Sequence, residues 1–304
     1  MTLTQVGFIG LGNMGSPMAA HLVDAGFALT VSDAAPGVTE RFVAEHPTAI
    51  AAAGPRSFAT AQALILMLPT SDIVEDVLER EKVADALPPG CLVIDMSSSE
   101  PLRTRTLAAR LQARGLSMLD APVSGGVRGA RAARLSVLVG GAQDDLDRAA
   151  PVLNAMAATI IRVGDIGSGH AAKALNNLVS AATMSITVEA LVLAEAFGIT
   201  PDTMTKVLNS SSGRSNTSEN KVAQFMTSGS FDSGFSLPLM AKDVGLAVAL
   251  ARALDRRVEV ADHVADQWRR LAAEVTPATD HTQLYTLLGG TERETPEDGA
   301  GEAR

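Results

Sequence analysis

The chain has 304 residues, a formal charge of -9, 46% apolar side chains and only 3% aromatic ones. The acidic balance excludes a nucleic-acid groove, which carries a basic field, and the length is too great for one core and suits two domains. A single cysteine, Cys91, excludes an intrachain disulfide, and within Cys91-Leu92-Val93-Ile94 it reads as a small buried hydrophobe rather than a nucleophile.

The first apolar run, residues 5–9, passes into Gly10-Leu11-Gly12-Asn13-Met14-Gly15 and then into a helical pattern from about Ser16. Strand, G-x-G-x-x-G and helix in that order is the dinucleotide-binding arrangement. Gly10 permits the tight turn, Gly12 leaves room for a pyrophosphate against the backbone, and Gly15 lets helix and strand pack closely. Leu11, Asn13 and Met14 complete the loop. The helix start offers unpaired N–H groups and a positive dipole end to phosphate. The second run, 28–32, ends in Asp33, 18 residues beyond Gly15. A carboxylate there accepts the adenosine ribose hydroxyls and repels a 2′-phosphate. No Arg follows before Arg41, so NAD is the expected cofactor, with NADP possible. The alternative for Asp33 is an ordinary turn residue at a strand end.

Further runs at 63–67, 91–95, 116–120, 135–140 and 159–162 are separated by Ala- and Leu-rich helical segments, while residues 79–82 read as a solvated helix end. This alternation predicts an α/β Rossmann-type domain with a mostly parallel sheet covered by helices. Ser124-Gly125-Gly126 offers a hydroxyl and exposed N–H groups on a flexible turn, an anion cradle or else a plain strand-exit loop.

Character changes at Gly164-Asp165-Ile166-Gly167-Ser168-Gly169. Helical spacing then runs over 170–197, 201–210, 218–228, 238–254, 258–273 and 280–288. The expected domains are therefore 1–164, a Rossmann domain, 165–288, an all-α domain joined by a long helix, and 289–304, a disordered tail too polar to bury an apolar face. Lys173 and Asn177 share one face of the long helix, near the expected junction of the halves. Hydride transfer to a carbonyl leaves an alkoxide that needs a proton donor, and an ammonium suits that task. A surface lysine is the alternative reading. His170 reads as a satisfied structural histidine rather than a substrate ligand. His263 and His281 lack metal-ligand spacing, so no metal is expected. Phe225, Phe231 and Phe235 read as core rather than as a stacking platform. Without a basic leader or an uncharged run of roughly 20 residues, a cytoplasmic chain with no membrane span is expected.

Several motifs together resemble a known family. These are residues 7–22, Met67-Leu68-Pro69, Asp95-Met96-Ser97-Ser98, residues 120–126, Gly167-Ser168-Gly169-His170-Ala171-Ala172-Lys173-Ala174-Leu175-Asn176-Asn177 and Leu239-Met240-Ala241-Lys242-Asp243. In this order they are similar to the β-hydroxyacid dehydrogenases over about residues 4–288, with 3-hydroxyisobutyrate dehydrogenase and tartronate semialdehyde reductase as the nearest branches. The resemblance implies Lys173 as catalytic lysine with Asn177 and Ser124 as its catalytic partners, and Ser124, Gly125 and Gly126 as the loop for the substrate carboxylate, held in part by Asn177. It also implies Leu68, Pro69, Ser98 and Lys242 at the cofactor. His21 departs from a common Asn, and Arg134 from a common Gly, which puts the shape of the carboxylate loop in doubt. A hydride would pass between NAD(H) and a small 3-hydroxy acid or semialdehyde, in a homodimer or homotetramer. An imine reductase shares the architecture but generally lacks the lysine. A decarboxylating phosphogluconate dehydrogenase would need a basic phosphate cluster in the helical half. A non-catalytic cofactor-binding scaffold would have no reason to keep Lys173, Asn177 and Ser124.

Overall fold

The computed structural model describes residues 3–291, which pack as two compact units. One runs to Asn176 and takes in Ala249–Arg257, and the other comprises Asn177–Val248 and the chain from Val258 on. The first unit follows the order β1 (Gln5–Ile9), α1 (Gly15–Asp24), β2 (Ala28–Ser32), α2 (Val38–Glu45), β3 (Ile50–Ala51) and β4 (Ala63–Leu66). Next come α3 (Ser71–Glu75), a π turn (Asp76–Arg80), α4 (Val83–Ala86), β5 (Leu92–Asp95), α5 (Pro101–Gln112), β6 (Ser117–Asp120) and β7 (Val123–Ser124). It closes with α6 (Gly126–Arg131), β8 (Leu135–Gly140), α7 (Gln143–Asn154) and β9 (Ala157–Gly164).

The strands form one sheet in the order β3-β2-β1-β4-β5-β6-β8-β7, with β9 on β8. Apolar runs without alternation are what a strand buried on both faces requires. On β4, Ala63 and Ile65 join a core with Phe8, Met18 and Leu22. Leu64 and Leu66 point the other way, into a core with Leu78, Val93 and Leu107. Neighbouring pairs are parallel except where β8 meets β6 and β7 in antiparallel pairing.

The helix α8 (Ser168–Phe197) begins in the first unit and continues in the second. After it come α9 (Pro201–Asn209), α10 (Asn216–Asn220), a π turn (Val222–Met226), α11 (Leu237–Ala253), α12 (Glu259–Ala273), a 3-10 turn (His281–Gln283) and α13 (Leu284–Leu287). By length and composition α8 is apolar enough to cross a membrane, contrary to the expectation from charge spacing. Its inward positions Ala181, Met184, Val188 and Leu191 are instead packed with Met240, Val244, Trp268 and Tyr285 in the core of the second unit.

Three local expectations differ from the structure. The helix expected over 218–228 begins earlier, at Asn216, where Ser215 and Ser218 cap each other in a capping box, and it breaks at Lys221, whose backbone leaves the helical region before the π turn. The two-residue strands β3 and β7 are too short to leave a periodic signal. The first unit extends past residue 164 to Asn176, because the start of α8 is bound to β6: the Asp120 carboxylate accepts the N–H groups of Gly167 and His170, each at 2.7 Å. Of the tail expected over 289–304, residues from 292 on lie outside the described residues. Thr291 is held: its carbonyl accepts the Tyr285 hydroxyl at 3.0 Å, and its own hydroxyl donates to Glu195.

Candidate active site

Gly10 follows β1 with φ at +102° and donates its N–H to Ser32 O at 2.9 Å. A Cβ on it would collide with the Met67 carbonyl, and one on Gly15 would collide with the Gly10 carbonyl. Both glycines are therefore set by close backbone approach. Gly12 is different, because a Cβ there meets nothing within 4 Å. The loop of Leu11, Gly12, Asn13 and Met14 thus presents an open face, and no side chain caps the start of α1. Asp33 at the end of β2 accepts Leu11 N–H at 2.6 Å and Ala35 N–H at 2.7 Å. Each carboxylate oxygen keeps a second lone pair for a further donor. A dinucleotide fits this cradle, with space over Gly12, an uncapped helix start and a half-buried carboxylate on the neighbouring strand.

The turn after β4 is tied to the loop after β5. Leu68 N–H donates to Ser97 Oγ at 2.9 Å, and Ser97 N–H donates to Asp95 Oδ1 at 3.0 Å. Ser98 is half-buried between the buried Ser97 and Ser99, whereas Pro69 is exposed. Ser124 closes β7, paired with Ser136 of β8. Gly125 and Gly126 follow with φ of +124° and +60°, so two successive residues turn the backbone in a way side chains resist. The conformation that favours glycine after α6 falls on Ala133, φ +52°, and not on Arg134. His21 does have a structural part here: its Nε2 lies 3.0 Å from Ala130 O and 3.2 Å from Arg131 O, at the end of α6.

Lys173 is buried on α8, 8% exposed, which is a rare state for a lysine. Asn177, one turn further along, is also buried. In the second unit its Nδ2 donates to Asp243 Oδ2 of α11 at 2.6 Å, and Lys242 Nζ stands 3.4 Å from Asp243 Oδ1. A charge-assisted bond of that length fixes which way the amide faces. Asp243, 2% exposed, escaped the sequence reading as a functional residue. Its signal was a carboxylate on the inward stripe of α11, beside Met240, Val244 and Ala247. Asp120 was missed likewise. Burial raises its pKa above the ordinary carboxylate value, opposed by the nearby His170 ring and by the N–H groups of His170 and Gly167. The signal there was a charge closing an apolar strand.

Phe231 and Phe235 pack at the edge of the second unit's core, and Phe225 is half-buried. Among the described residues, no group of three or more His, Cys, Asp or Glu is arranged to hold a metal ion.

Two family models match the chain. Residues 5–164 match the NAD binding domain of 6-phosphogluconate dehydrogenase. Residues 167–288 match the NAD-binding domain of NADP-dependent 3-hydroxyisobutyrate dehydrogenase. A probable 3-hydroxyisobutyrate dehydrogenase of Mycobacterium tuberculosis is 36% identical over 291 residues, covering 94% of this chain and 98% of that protein. A 2-(hydroxymethyl)glutarate dehydrogenase of Eubacterium barkeri is 38% identical over 246 residues, covering 80% and 81%. Among solved structures, a Mycobacterium tuberculosis 3-hydroxyisobutyrate dehydrogenase determined with L-serine superposes with a TM-score of 0.88 at 35% identity, covering 95% of this chain and 100% of that one.

Proposed function

The chain belongs to the β-hydroxyacid dehydrogenases, NAD(P)-dependent oxidoreductases, and from that premise we propose that it interconverts a small 3-hydroxy acid and its semialdehyde, with Lys173 as the general acid and base. The observation that carries this reading is the burial of Lys173 one helical turn before the buried Asn177. An amine held away from water is costly unless it meets a charge or a reacting group.

The nicotinamide, when bound, accepts or returns the hydride at the carbinol carbon. In oxidation Lys173, as a neutral amine, takes the hydroxyl proton at Nζ. In reduction its ammonium faces the developing alkoxide and supplies the proton. Ser124 Oγ and the backbone N–H groups of Gly125 and Gly126 hold the substrate carboxylate. Asn177, whose amide Asp243 orients, holds the substrate carboxylate in part. Gly10, Leu11, Gly12, Asn13, Met14 and Gly15 hold the pyrophosphate, Asp33 the adenosine ribose, and Leu68, Pro69 and Ser98 the rest of the cofactor. The place of Lys242 near the cofactor rests on the family resemblance. NAD is preferred to NADP through the charge of Asp33. The relatives' names put 3-hydroxyisobutyrate first among candidate substrates, with 2-(hydroxymethyl)glutarate and L-serine beside it, and tartronate semialdehyde rests on the family resemblance alone.

Lys173→Ala tests the mechanism. Turnover is expected to fall by about 10²–10⁴-fold, the usual worth of a positioned proton-transfer group, while NADH fluorescence titration shows cofactor binding retained. A variant keeping more than about a tenth of wild-type kcat, outside that range, removes Lys173 from the role.

A homo-oligomer in the cytoplasm is part of the same proposal. The outward face of α8 carries Val179, Ile186, Leu193 and Phe197, 62%, 61%, 71% and 85% exposed. Three of them recur at seven-residue spacing, a stripe that a second copy of the helix covers in a two-fold pairing. Light scattering that gives a monomer at micromolar concentration rejects this part.

A further inference from the structure

His170 has no part in the chemistry assigned to Lys173, yet its side chain is fully buried and it lies one turn before that lysine on α8. Everything it meets is in the first unit. Asp95 and Asp120 end the adjacent parallel strands β5 and β6 in register with each other. Asp120 binds the start of α8 through the N–H groups of Gly167 and His170. Asp95 organises the loop after β5, accepting Ser97 N–H at Oδ1 and the Ser99 hydroxyl at Oδ2, both at 3.0 Å. The imidazole stands beside both carboxylates. Its Nδ1 is 2.8 Å from Thr104 Oγ1 and 3.9 Å from Asp120 Oδ2, and its Nε2 is 3.7 Å from Asp95 Oδ2.

The Nε2 atom is buried and makes no hydrogen bond. A lone pair there would face a buried carboxylate oxygen across 3.7 Å with no proton between them. A proton on Nε2 makes the same contact attractive, and Nδ1 then accepts the Thr104 hydroxyl across 2.8 Å, the proton turning from its other acceptor, Glu100 O at 3.1 Å. A shortening of about 0.5 Å brings Nε2–H within hydrogen-bond reach of Asp95. Through Asp95 and Ser97 that contact extends to Leu68 N–H.

We propose that His170 is a positioning residue whose Nε2–H, directed at Asp95, holds the Ser98 loop and the Leu68 turn in register with the turn of α8 that carries Lys173. The inference rests on the roles proposed above for Ser98, Leu68 and Lys173. It makes cofactor affinity and proton transfer depend jointly on one buried donor that touches neither cofactor nor substrate.

Three variants test it: His170→Leu, without a donor; His170→Gln, whose amide N–H reaches the Nε2 position; and His170→Asn, whose amide reaches only the Nδ1 position. Each is measured for kcat, for KM of the hydroxy acid, for NADH Kd by fluorescence titration and for melting temperature. In His170→Leu, kcat is expected to fall about tenfold to a hundredfold, what a displacement of about 1 Å at a reacting group costs, together with weaker NADH binding and little change in KM. His170→Gln is expected to recover most of both losses, and His170→Asn neither. Wild-type kcat and NADH Kd in a folded His170→Leu overturn the proposal. So does equal impairment of the Gln and Asn variants, and that comparison decides alone if the Leu variant does not fold. Should Lys173→Ala stay active, the mechanism falls while the NADH-affinity difference between Gln and Asn still judges His170.

Discussion

Lowering the pH from neutral is expected to loosen the helical unit through one side chain, His281. Its ring is buried, with Nδ1 donating to Phe235 O at 2.7 Å and Nε2 accepting from Lys221 Nζ at 2.8 Å. The Phe235 ring meets it edge-on, with centroids 5.6 Å apart. Burial first, and then the Lys221 charge, bring its pKa down from 6.5 to about 4, against the opposing pull of the Phe235 carbonyl and Asp280. The unfolded chain therefore takes up this proton at higher pH than the folded one. Stability from this group is complete above pH 6.5 and is lost as the pH falls toward about 4. At about 1.4 kcal/mol per pH unit, that interval amounts to about 3 kcal/mol. Asp280 acts lower down: hydrogen bonds from Thr282 and Ser233 outweigh burial and hold its pKa below 3.8, so its contribution is present above that value and disappears in stronger acid. The assay is urea unfolding between about pH 7.5 and 4.5, followed by tryptophan fluorescence. Trp268 is the sole tryptophan, fully buried in the second unit's core, with its indole N–H on Ser185 Oγ at 3.0 Å. The wild type should lose stability across that range, and His281→Gln should lose much less, because its amide oxygen accepts from Lys221 at the Nε2 position without titrating, and the donor it fails to give the Phe235 carbonyl is missing equally at every pH. Equal pH slopes in the two proteins would refute the reasoning.

Asp33→Asn should raise the kcat/KM ratio of NADP to NAD by about tenfold, some 1.4 kcal/mol of removed repulsion. An unchanged ratio leaves Asp33 only its part in pinning Leu11 and Ala35. Burial pushes the Cys91 thiol up to about 12, so a thiol reagent at pH 8 should label the protein only after denaturation, and rapid labelling of the native protein contradicts this. Ala133→Gly relieves a left-handed backbone at φ +52° and should stabilise by up to about 1 kcal/mol, read as a higher melting temperature. A lower one shows that the Ala133 methyl contributes more through packing than its backbone costs.

Much of the first unit was legible from local pattern. The short apolar runs bounded by turn residues became the strands of this unit, and Gly10 and Gly15 announce backbone contacts that no larger residue survives. The direction of β8 was not legible, since an apolar run carries no record of which way its neighbour points. The candidate site was legible where its residues sit in contiguous motifs: the glycine loop with Asp33, the Ser124 turn, and Lys173 with Asn177.

What the sequence by itself determined, then, was the alternation of strand and helix, the switch to helices after residue 164, and the residue types available for chemistry. The tertiary structure decided which distant groups meet. Asp120 binds the start of α8 from 47 residues away, and Asp243 holds Asn177 across 66. Thr104 meets the His170 ring across the same separation, and His281 meets Lys221 across 60. Periodicity reports only a residue's neighbours within a turn or a strand. A buried carboxylate or imidazole finds its partner by where the packed elements bring it, and that is settled by the whole fold.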